Sequence, residues 1–366
     1  MKILISGGGT GGHIFPALSI ANAVRRRMPD AEILFVGAEG RMEMERVPAA
    51  GYEIVGLPVA GFDRKRLWRN FGVLLKLWRS MRKAKKVLRT FAPDACVGVG
   101  GYASGPVLKE AQRRGIPTLV QEQNSYAGVT NKLLAAKADR ICVAYDGMDR
   151  FFPADKIVKT GNPVRKSIAS LSTPRDEAKR RLGFDPARPL VVVVGGSLGA
   201  RTINDSMKTA MNRILSLGAS VLWQTGRLYA DECQEAVKDI NNPNLRVQPF
   251  IDDMDMVYCA ADLMVSRAGA STISEIQLAG MPAVLVPSPN VAEDHQTKNA
   301  QALVSKGAAL MLRDAEACGR GMDLAVEVLA DPERLAGLSA RIGRLARPDA
   351  AERIVDRILQ TLQTEH

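Results

Sequence analysis

Two glycine-rich segments, each following an apolar run, carry residue types suited to holding phosphate. Lys2-Ile3-Leu4-Ile5-Ser6 leads into Gly7-Gly8-Gly9-Thr10-Gly11-Gly12-His13, and Leu190-Val191-Val192-Val193-Val194 leads into Gly195-Gly196-Ser197-Leu198-Gly199. Glycine there lets backbone amides come close to an anion, whose charge then sits at the positive end of the following helix. A helical pattern runs on from Pro16, which suits a first-turn position. One such loop could be a tight strand–helix turn and nothing more. Two in matching positions argue for contact with phosphate or sugar. Gly7, Gly9 and Gly12 also satisfy G-x-G-x-x-G, but the only acid near the end of the second strand is Glu39, loosely flanked by two glycines. That is a poor match for a dinucleotide site.

A third cluster, Ser266-Arg267-Ala268-Gly269-Ala270-Ser271-Thr272-Ile273-Ser274-Glu275, lies between a strand pattern and a helix pattern. Small and hydroxylated residues at a helix start can donate to a diphosphate, and a carboxylate one turn later can accept from both hydroxyls of a ribose. The competing reading makes Ser271, Ser274 and Glu275 an ordinary helix cap. Asp253-Met254-Asp255 has the form of a D-x-D metal site, yet it directly precedes a helical run and has no third ligand nearby. Its acids fit a helix start better. Of three histidines, His366 is terminal, and His13 ends the first glycine loop. A neutral imidazole at His13 suits a general base for a sugar hydroxyl, or a brace for the loop.

The elements that would position these residues alternate. Strands are expected to begin at Lys2, Glu32, Ala95, Thr118 and Arg140, then at Leu190, Ser220, Leu245, Leu263, Ala283 and Ala309, with helices between. This predicts parallel sheets covered on both faces. The fold class is α/β: two doubly wound, Rossmann-like domains facing a central cleft and meeting near residue 163. The expected organisation is residues 1–162, residues 163–346, and a terminal segment 347–366 whose helix, Ala350 to Gln363, packs back toward the first domain.

The chain of 366 residues with 46% hydrophobic content has room for two cores. It contains no apolar stretch near the ~20 residues that span a bilayer, and its start reads as a strand with no signal-peptide pattern. Five scattered cysteines without a C-x-x-C read as plain buried thiols in a reducing cytoplasm.

In their order along the chain, several segments are similar to the N-acetylglucosaminyltransferases that complete lipid II, two-domain glycosyltransferases of the GT-B type. They are Gly8 to His13, Gly100-Gly101-Tyr102-Ala103-Ser104-Gly105-Pro106, Gln121-Glu122-Gln123-Asn124, Thr160-Gly161-Asn162-Pro163-Val164-Arg165, Gly195 to Ala200, Gly269 to Glu275, and Asp294-His295-Gln296-Thr297-Lys298-Asn299. The resemblance covers essentially the whole chain. It implies a donor, UDP-N-acetylglucosamine, held mainly by the second domain. Ser197 and the backbone of Ala270, Ser271 and Thr272 would meet the diphosphate, Glu275 the ribose, and the main chain of Ile251 the uracil. Gln296, Asn299, Asn124 and Arg165 would line the sugar and nucleotide pocket. Thr10, Gly11, Gly12 and His13 would face the acceptor's pyrophosphate and the reacting sugar. Where the family often has two adjacent glutamines, the first is here His295, so Gln296 is the safer assignment.

The implied reaction is inverting. The muramyl 4-hydroxyl of undecaprenyl-pyrophosphoryl-MurNAc-pentapeptide (lipid I) attacks the donor's anomeric carbon as UDP departs, giving lipid II for the cell wall. His13 is the first candidate base and Glu122 the second. No cofactor is implied and no metal is required, although the residues leave open whether a divalent cation stimulates. Two other functions share these features: a UDP-N-acetylglucosamine 2-epimerase, and a non-catalytic, membrane-associated nucleotide-sugar-binding protein.

The charge is uneven. From Asp63 to Phe91, eleven Lys and Arg residues oppose one acid, a local net of +10 against +11 for the chain. Phe71, Leu74, Leu75, Trp78, Met81 and Leu88 recur there at helical spacing, after Arg64, Lys65, Arg66, Leu67 and Trp68. Such an element suits an anionic bilayer surface, or packs on the sheet with its cations solvated. With a lipid-linked acceptor, the reading is a peripheral protein on the cytoplasmic side of the inner membrane. A nucleic acid would also bind such a patch, but nothing else resembles a nucleic-acid module.

Overall fold

The structure, a computed structural model, describes residues 1–59 and 71–363, apart from the side chains of Phe71, Gly319 and Arg320. The chain divides into two compact units: Met1–Arg165 with Arg347–His366, and Lys166–Ala346.

In the first unit the strands are β1 (Lys2–Ser6), β2 (Glu32–Ala38), β3 (Glu53–Leu57), β4 (Ala95–Gly98), β5 (Thr118–Glu122), β6 (Arg140–Val143) and β7 (Ile157–Lys159). All pair in parallel, in the order β3-β2-β1-β4-β5-β6-β7. The helices are α1 (Gly11–Arg27), α2 (Glu43–Ala49), α3 (Phe71–Phe91), α4 (Ser104–Arg113) and α5 (Val129–Ala135). Alternate strand residues point to opposite faces. Ile3 and Ile5 therefore pack with Ile14, Ile20 and Val24 of α1. Leu4, Cys96 and Val120 face Leu88 of α3, Leu108 of α4 and Leu134 of α5.

The chain's last helix finishes the first of these layers. It adds Ile354, Val355 and Ile358, which are at most 2% exposed, to the α1 side of the sheet. Burying three large aliphatic side chains contributes ~2 kcal/mol each. The ion pairs beside it, such as Arg26–Glu352 at 2.6 Å, are half-exposed and contribute little.

The second unit opens with α6 (Lys166–Ala169) and α7 (Arg175–Arg181) and repeats the architecture with β8 (Leu190–Val194), α8 (Arg201–Ser216), β9 (Ser220–Gln224), α9 (Ala230–Glu235) and β10 (Leu245–Gln248). It continues with α10 (Met254–Ala260), β11 (Leu263–Ser266), α11 (Ala270–Ala279), β12 (Ala283–Leu285), α12 (His295–Val304), β13 (Leu310–Met311), α13 (Asp314–Leu329) and α14 (Pro332–Gly343). The terminal helix is α15 (Ala350–Gln363). The strand order is β10-β9-β8-β11-β12-β13, again all parallel. The valine run of β8 is central and buried on both faces, as such sheets require.

Three sequence expectations need correction. The strands β3 and β7 were not anticipated. Both are edge strands, half-buried and short, so they lack the continuous apolar run that marks a central one. Pro16 is not in the first turn of a helix. The helix begins at Gly11, inside the glycine loop, and Pro16 lies in its second turn. The cysteines are not all buried: Cys96, Cys142 and Cys233 are, Cys259 is half-buried and Cys318 is exposed.

Burial pushes the Cys142 thiol up to about 12 and Cys233 up to about 11, and it also raises Cys96. A thiol reagent at pH 8 is therefore expected to label Cys318 first and Cys259 slowly. The other three should react only after denaturation, and fast labelling of three or more thiols in native protein would contradict this packing.

Candidate functional site

In each unit the strand order reverses at its centre, so the connections after two adjacent strands leave on opposite sides of the sheet. The crevice outside the carboxyl ends of those strands is where ligands bind in open parallel sheets. In the first unit the strands are β1 and β4, followed by Gly7–Thr10 and Val99–Ala103. In the second they are β8 and β11, followed by Gly195–Ala200 and Arg267–Gly269.

The two turns of the first unit are pressed together. Gly100 and Gly101 have φ of +94° and +81°, and a Cβ on Gly101 would overlap the Gly8 carbonyl. The Ser104 hydroxyl shares its proton between the carbonyls of Ser6 (2.7 Å) and Gly100 (2.8 Å), tying both strands to α4. Thr10 is the N-cap residue of α1, and its Oγ1 lies 3.1 Å from Nδ1 of His13, the third helical residue. The other edge of that ring faces Gly100, where a Cβ would come within 3.0 Å of Nε2. Thr10, Gly11, Gly12 and His13 are thus gathered at the mouth of the crevice, on the first turn of α1.

Glu122, at the end of β5, is only 2% exposed. Its Oε1 accepts from the Asn124 amide nitrogens of main chain (3.0 Å) and side chain (3.2 Å). Its Oε2 accepts from the Gly128 N–H (2.9 Å) and Asn131 Nδ2 (2.8 Å). Four donors on one carboxylate make a brace for the 123–131 segment. Beside it, Gln121 donates to Asn162 (3.0 Å), Asn162 to the Gln123 carbonyl (2.9 Å), and Gln123 to the Val99 carbonyl (2.7 Å). Two of the segments that carried the resemblance are therefore largely internal, joining the ends of β4 and β5 to Asn162. Arg165 is exposed at the end of the first unit.

In the second unit a pocket of about 150 Å³ is lined by Val194, Gln224, Phe250, Ile251, Met254, Tyr258, Met264, Thr272 and Glu275. Gln224, at the end of β9, donates to the Gly196 carbonyl (3.0 Å) and accepts from the Ile251 N–H (2.9 Å). It couples the second glycine loop to the segment expected to meet a base. The Tyr258 hydroxyl donates to Glu275 Oε2 (2.9 Å). Ser197 is exposed in the loop ahead of α8.

α11 has Gly269 as its N-cap and no side-chain cap. Among the described residues Ser271 Oγ is enclosed without a partner, and Ser274 Oγ donates back to the Ala270 carbonyl (2.9 Å). The capping reading of Ser271, Ser274 and Glu275 therefore fails. Asp253 does cap α10, accepting from the Met256 N–H at 3.0 Å. Among the described residues no group of three or more His, Cys, Asp or Glu is placed to hold a metal.

Gln296 Oε1 accepts from the Ser288 N–H (2.9 Å), which fixes it on the first turn of α12. His295 Nδ1 lies 2.8 Å from the Ala292 carbonyl, as a donor to it. Asn299, one turn later, is fully buried. Arg267 reaches the Val286 (3.1 Å) and Pro287 (3.2 Å) carbonyls and pairs with Asp314, clamping the turn before α11 to the end of β12.

Sequence reasoning passed over Gln224 and Tyr258, and gave no role to Ser104 or Arg267, each inside a segment it singled out. A polar side chain at the carboxyl end of a parallel strand was the available signal for Gln224. The basic candidates Arg64, Lys65 and Arg66, with Leu67 and Trp68, lie outside the described residues. On α3, Leu74 (52% exposed), Leu75 (50%) and Trp78 (54%) project outward, and Arg82 stacks on Trp78 at 4.6 Å. Leu88, of the same apolar stripe, is instead in the core.

Residues 3–143 match the glycosyltransferase family 28 N-terminal domain, and residues 190–354 match the family's C-terminal domain. The chain belongs to glycosyltransferase family 28. A family 28 relative from Bacteroides fragilis is 57% identical over 99% of this chain and 96% of its own length. It is named as a UDP-N-acetylglucosamine–N-acetylmuramyl-(pentapeptide) pyrophosphoryl-undecaprenol N-acetylglucosamine transferase. The crystal structure of Acinetobacter baumannii MurG superposes with a TM-score of 0.80 at 29% identity, covering 98% of this chain and 99% of that one. A UDP-GlcNAc 2-epimerase from Neisseria meningitidis, at 13% identity and TM-score 0.69 over 98% of this chain and 100% of that one, shares the fold. Both family 28 matches contain one of the strand reversals just described.

The Glu122 brace makes a stability prediction. Glu122→Ala strips acceptors from the Gly128 N–H and the Asn131 amide and should cost about 3 kcal/mol, read from the urea midpoint. Glu122→Gln, which keeps one acceptor oxygen, should cost less. An unchanged midpoint in the alanine variant would show that water replaces the carboxylate.

Proposed function

We propose that this chain is an inverting N-acetylglucosaminyltransferase that moves N-acetylglucosamine from UDP-N-acetylglucosamine to the 4-hydroxyl of the muramyl unit of lipid I. The observation that carries the donor assignment is the second-unit pocket. It combines main chain at Ile251, the first-turn residue Thr272, and a Glu275 carboxylate oriented by Tyr258. These three would meet the base, the diphosphate and the ribose, respectively. The Ile251 amide is committed to Gln224, so main-chain recognition of a uracil falls to the Ile251 carbonyl, which accepts from N3–H. First-turn amides of α11 and the Ser197 loop would take the charge that develops on the departing diphosphate, with Arg165 as a further cation. Gln296 is the residue of α12 placed to meet the sugar, and buried Asn299 supports it from behind.

On the acceptor side, His13 is the base. Its Nδ1–H donates to Thr10 Oγ1, and Nε2 takes the proton of the attacking hydroxyl as the anomeric carbon–phosphate oxygen bond breaks and UDP leaves. Gly100 keeps side-chain bulk away from that nitrogen. Glu122, its oxygens each holding two donors, keeps Asn124 and the 123–131 segment in place and is not the base we favour. Relatives that share a transferase name at 57% identity support this reading over the epimerase, with which only the fold is shared.

We further propose that α3 holds the protein to the cytoplasmic face of the inner membrane, as a peripheral contact. No helix among the described residues is long and apolar enough to cross a membrane. Exposed Leu74, Leu75, Leu77 and Trp78, set among Lys76, Arg79 and Arg82, form an apolar strip with a cationic rim.

UDP should be released from UDP-N-acetylglucosamine only when lipid I is added. Release without acceptor, or formation of a 2-epimer, would overturn the transferase assignment. His13→Ala should lower kcat by ~10²-fold or more while UDP affinity stays within about twofold. Full turnover in that variant would remove His13 as the base. Exchanging Lys76, Arg79 and Arg82 for Glu should lower sedimentation with anionic vesicles by roughly tenfold or more, with binding to UDP intact. Unchanged sedimentation would exclude α3 as the membrane contact.

A further inference from the structure

We infer that Glu43 is a positioning residue for the reaction, acting through the first glycine loop on Thr10 and His13. The inference rests on the proposed acceptor-side role of that loop. Glu43 is the first residue of α2 and has no solvent exposure. Its Oε1 accepts from two main-chain donors, Gly9 N–H and Ala38 N–H, each at 2.9 Å. Its Oε2 is enclosed and has no hydrogen-bond partner among the described residues. An enclosed carboxylate is costly unless main-chain donors and a helix N-terminus offset the lost hydration. A group held at such cost, with one oxygen unused, is poorly explained as filler.

The surrounding glycines are shaped to it. A Cβ at Gly8 would overlap the Glu43 carboxylate, and one at Gly37 would approach its Cγ to 2.6 Å. Gly8 and Gly9 have φ of +146° and +89°, conformations that L side chains rarely adopt. The hydrogen bond to Glu43 holds Gly9 in place from one side, while the Gly100–Gly101 turn closes on Gly8 from the other. Thr10 follows directly, and its hydroxyl sits 3.1 Å from His13 Nδ1. A displacement at Gly9 is therefore passed to the Thr10 hydroxyl and from there to the orientation and tautomer of the imidazole. The bond to Glu43 also commits the Gly9 amide, so an acceptor diphosphate is left to the amides of Gly11 and Gly12.

Three variants test this on the full chain with UDP-N-acetylglucosamine and lipid I. Glu43→Gln keeps an accepting oxygen and should stay within about threefold of wild type in kcat and in both KM values. Glu43→Leu releases the loop and should raise the acceptor KM by ~10-fold and lower kcat by a similar factor, with the donor KM within about twofold. Where Glu43→Leu yields no folded protein, Glu43→Asp takes its place. It retains the charge but withdraws the oxygen by one methylene, and it should show the same pattern. In a His13→Ala background, the Glu43 change should lower kcat by less than about twofold, because both substitutions act on the same imidazole.

Unchanged acceptor kinetics in the leucine and aspartate variants would overturn the inference. So would full additivity with His13→Ala, or equal loss for donor and acceptor, which marks general destabilisation. Wild-type protein without lipid-dependent UDP release would instead overturn the transferase reading itself.

Discussion

The reversal of strand order at the centre of each parallel sheet is the constraint on which the remaining features depend. Right-handed crossovers carry the chain from β1 outward through β2 to β3, and then back to β4 on the other side of β1. The connections after β1 and β4 must diverge, which leaves their backbone amides at an open crevice. The same happens at β8 and β11. Glycine belongs at these places because the chain has to turn sharply beside another turn. At Gly101 the neighbour is the Gly8 carbonyl.

Around those openings, the polar side chains that look most chemical are mostly engaged in holding backbone. Glu122 gathers four donors, and Gln121, Gln123 and Asn162 form a buried amide relay. Gln224 and Arg267 do comparable work in the second unit, each spanning two segments that are distant in sequence. Such groups are expensive to bury unsatisfied and rigid when satisfied. In each unit the opening, with His13 beside the first and the first turn of α11 beside the second, is thus bordered by a fixed frame.

α3 shows how one helix serves two surroundings. Ser80, Ala84 and Leu88, spaced four apart, turn to the sheet and are buried. Leu74, Leu75 and Trp78, earlier in the helix and on another side of it, are exposed. Packing on the sheet therefore does not compete with the bilayer contact proposed for its exposed residues.

Local pattern made much of this legible from sequence. The starts of most strands, the two glycine loops and the terminal helix follow from short runs of apolar residues and glycine, because strand period and tight turns are properties of neighbouring residues; the family was legible only as a resemblance of several motifs in order. Edge strands β3 and β7 escaped, although the edge strands β10 and β13, equally short and half-buried, did not. What only the tertiary structure decided concerns partners far apart in the chain. Glu43 reaches Gly9 across 34 positions. Glu122 accepts from Asn124, Gly128 and Asn131, and the Ile251 amide donates to Gln224. A sequence shows which residues can ionise or donate; whether an atom remains available for a substrate depends on which distant group folding has placed beside it.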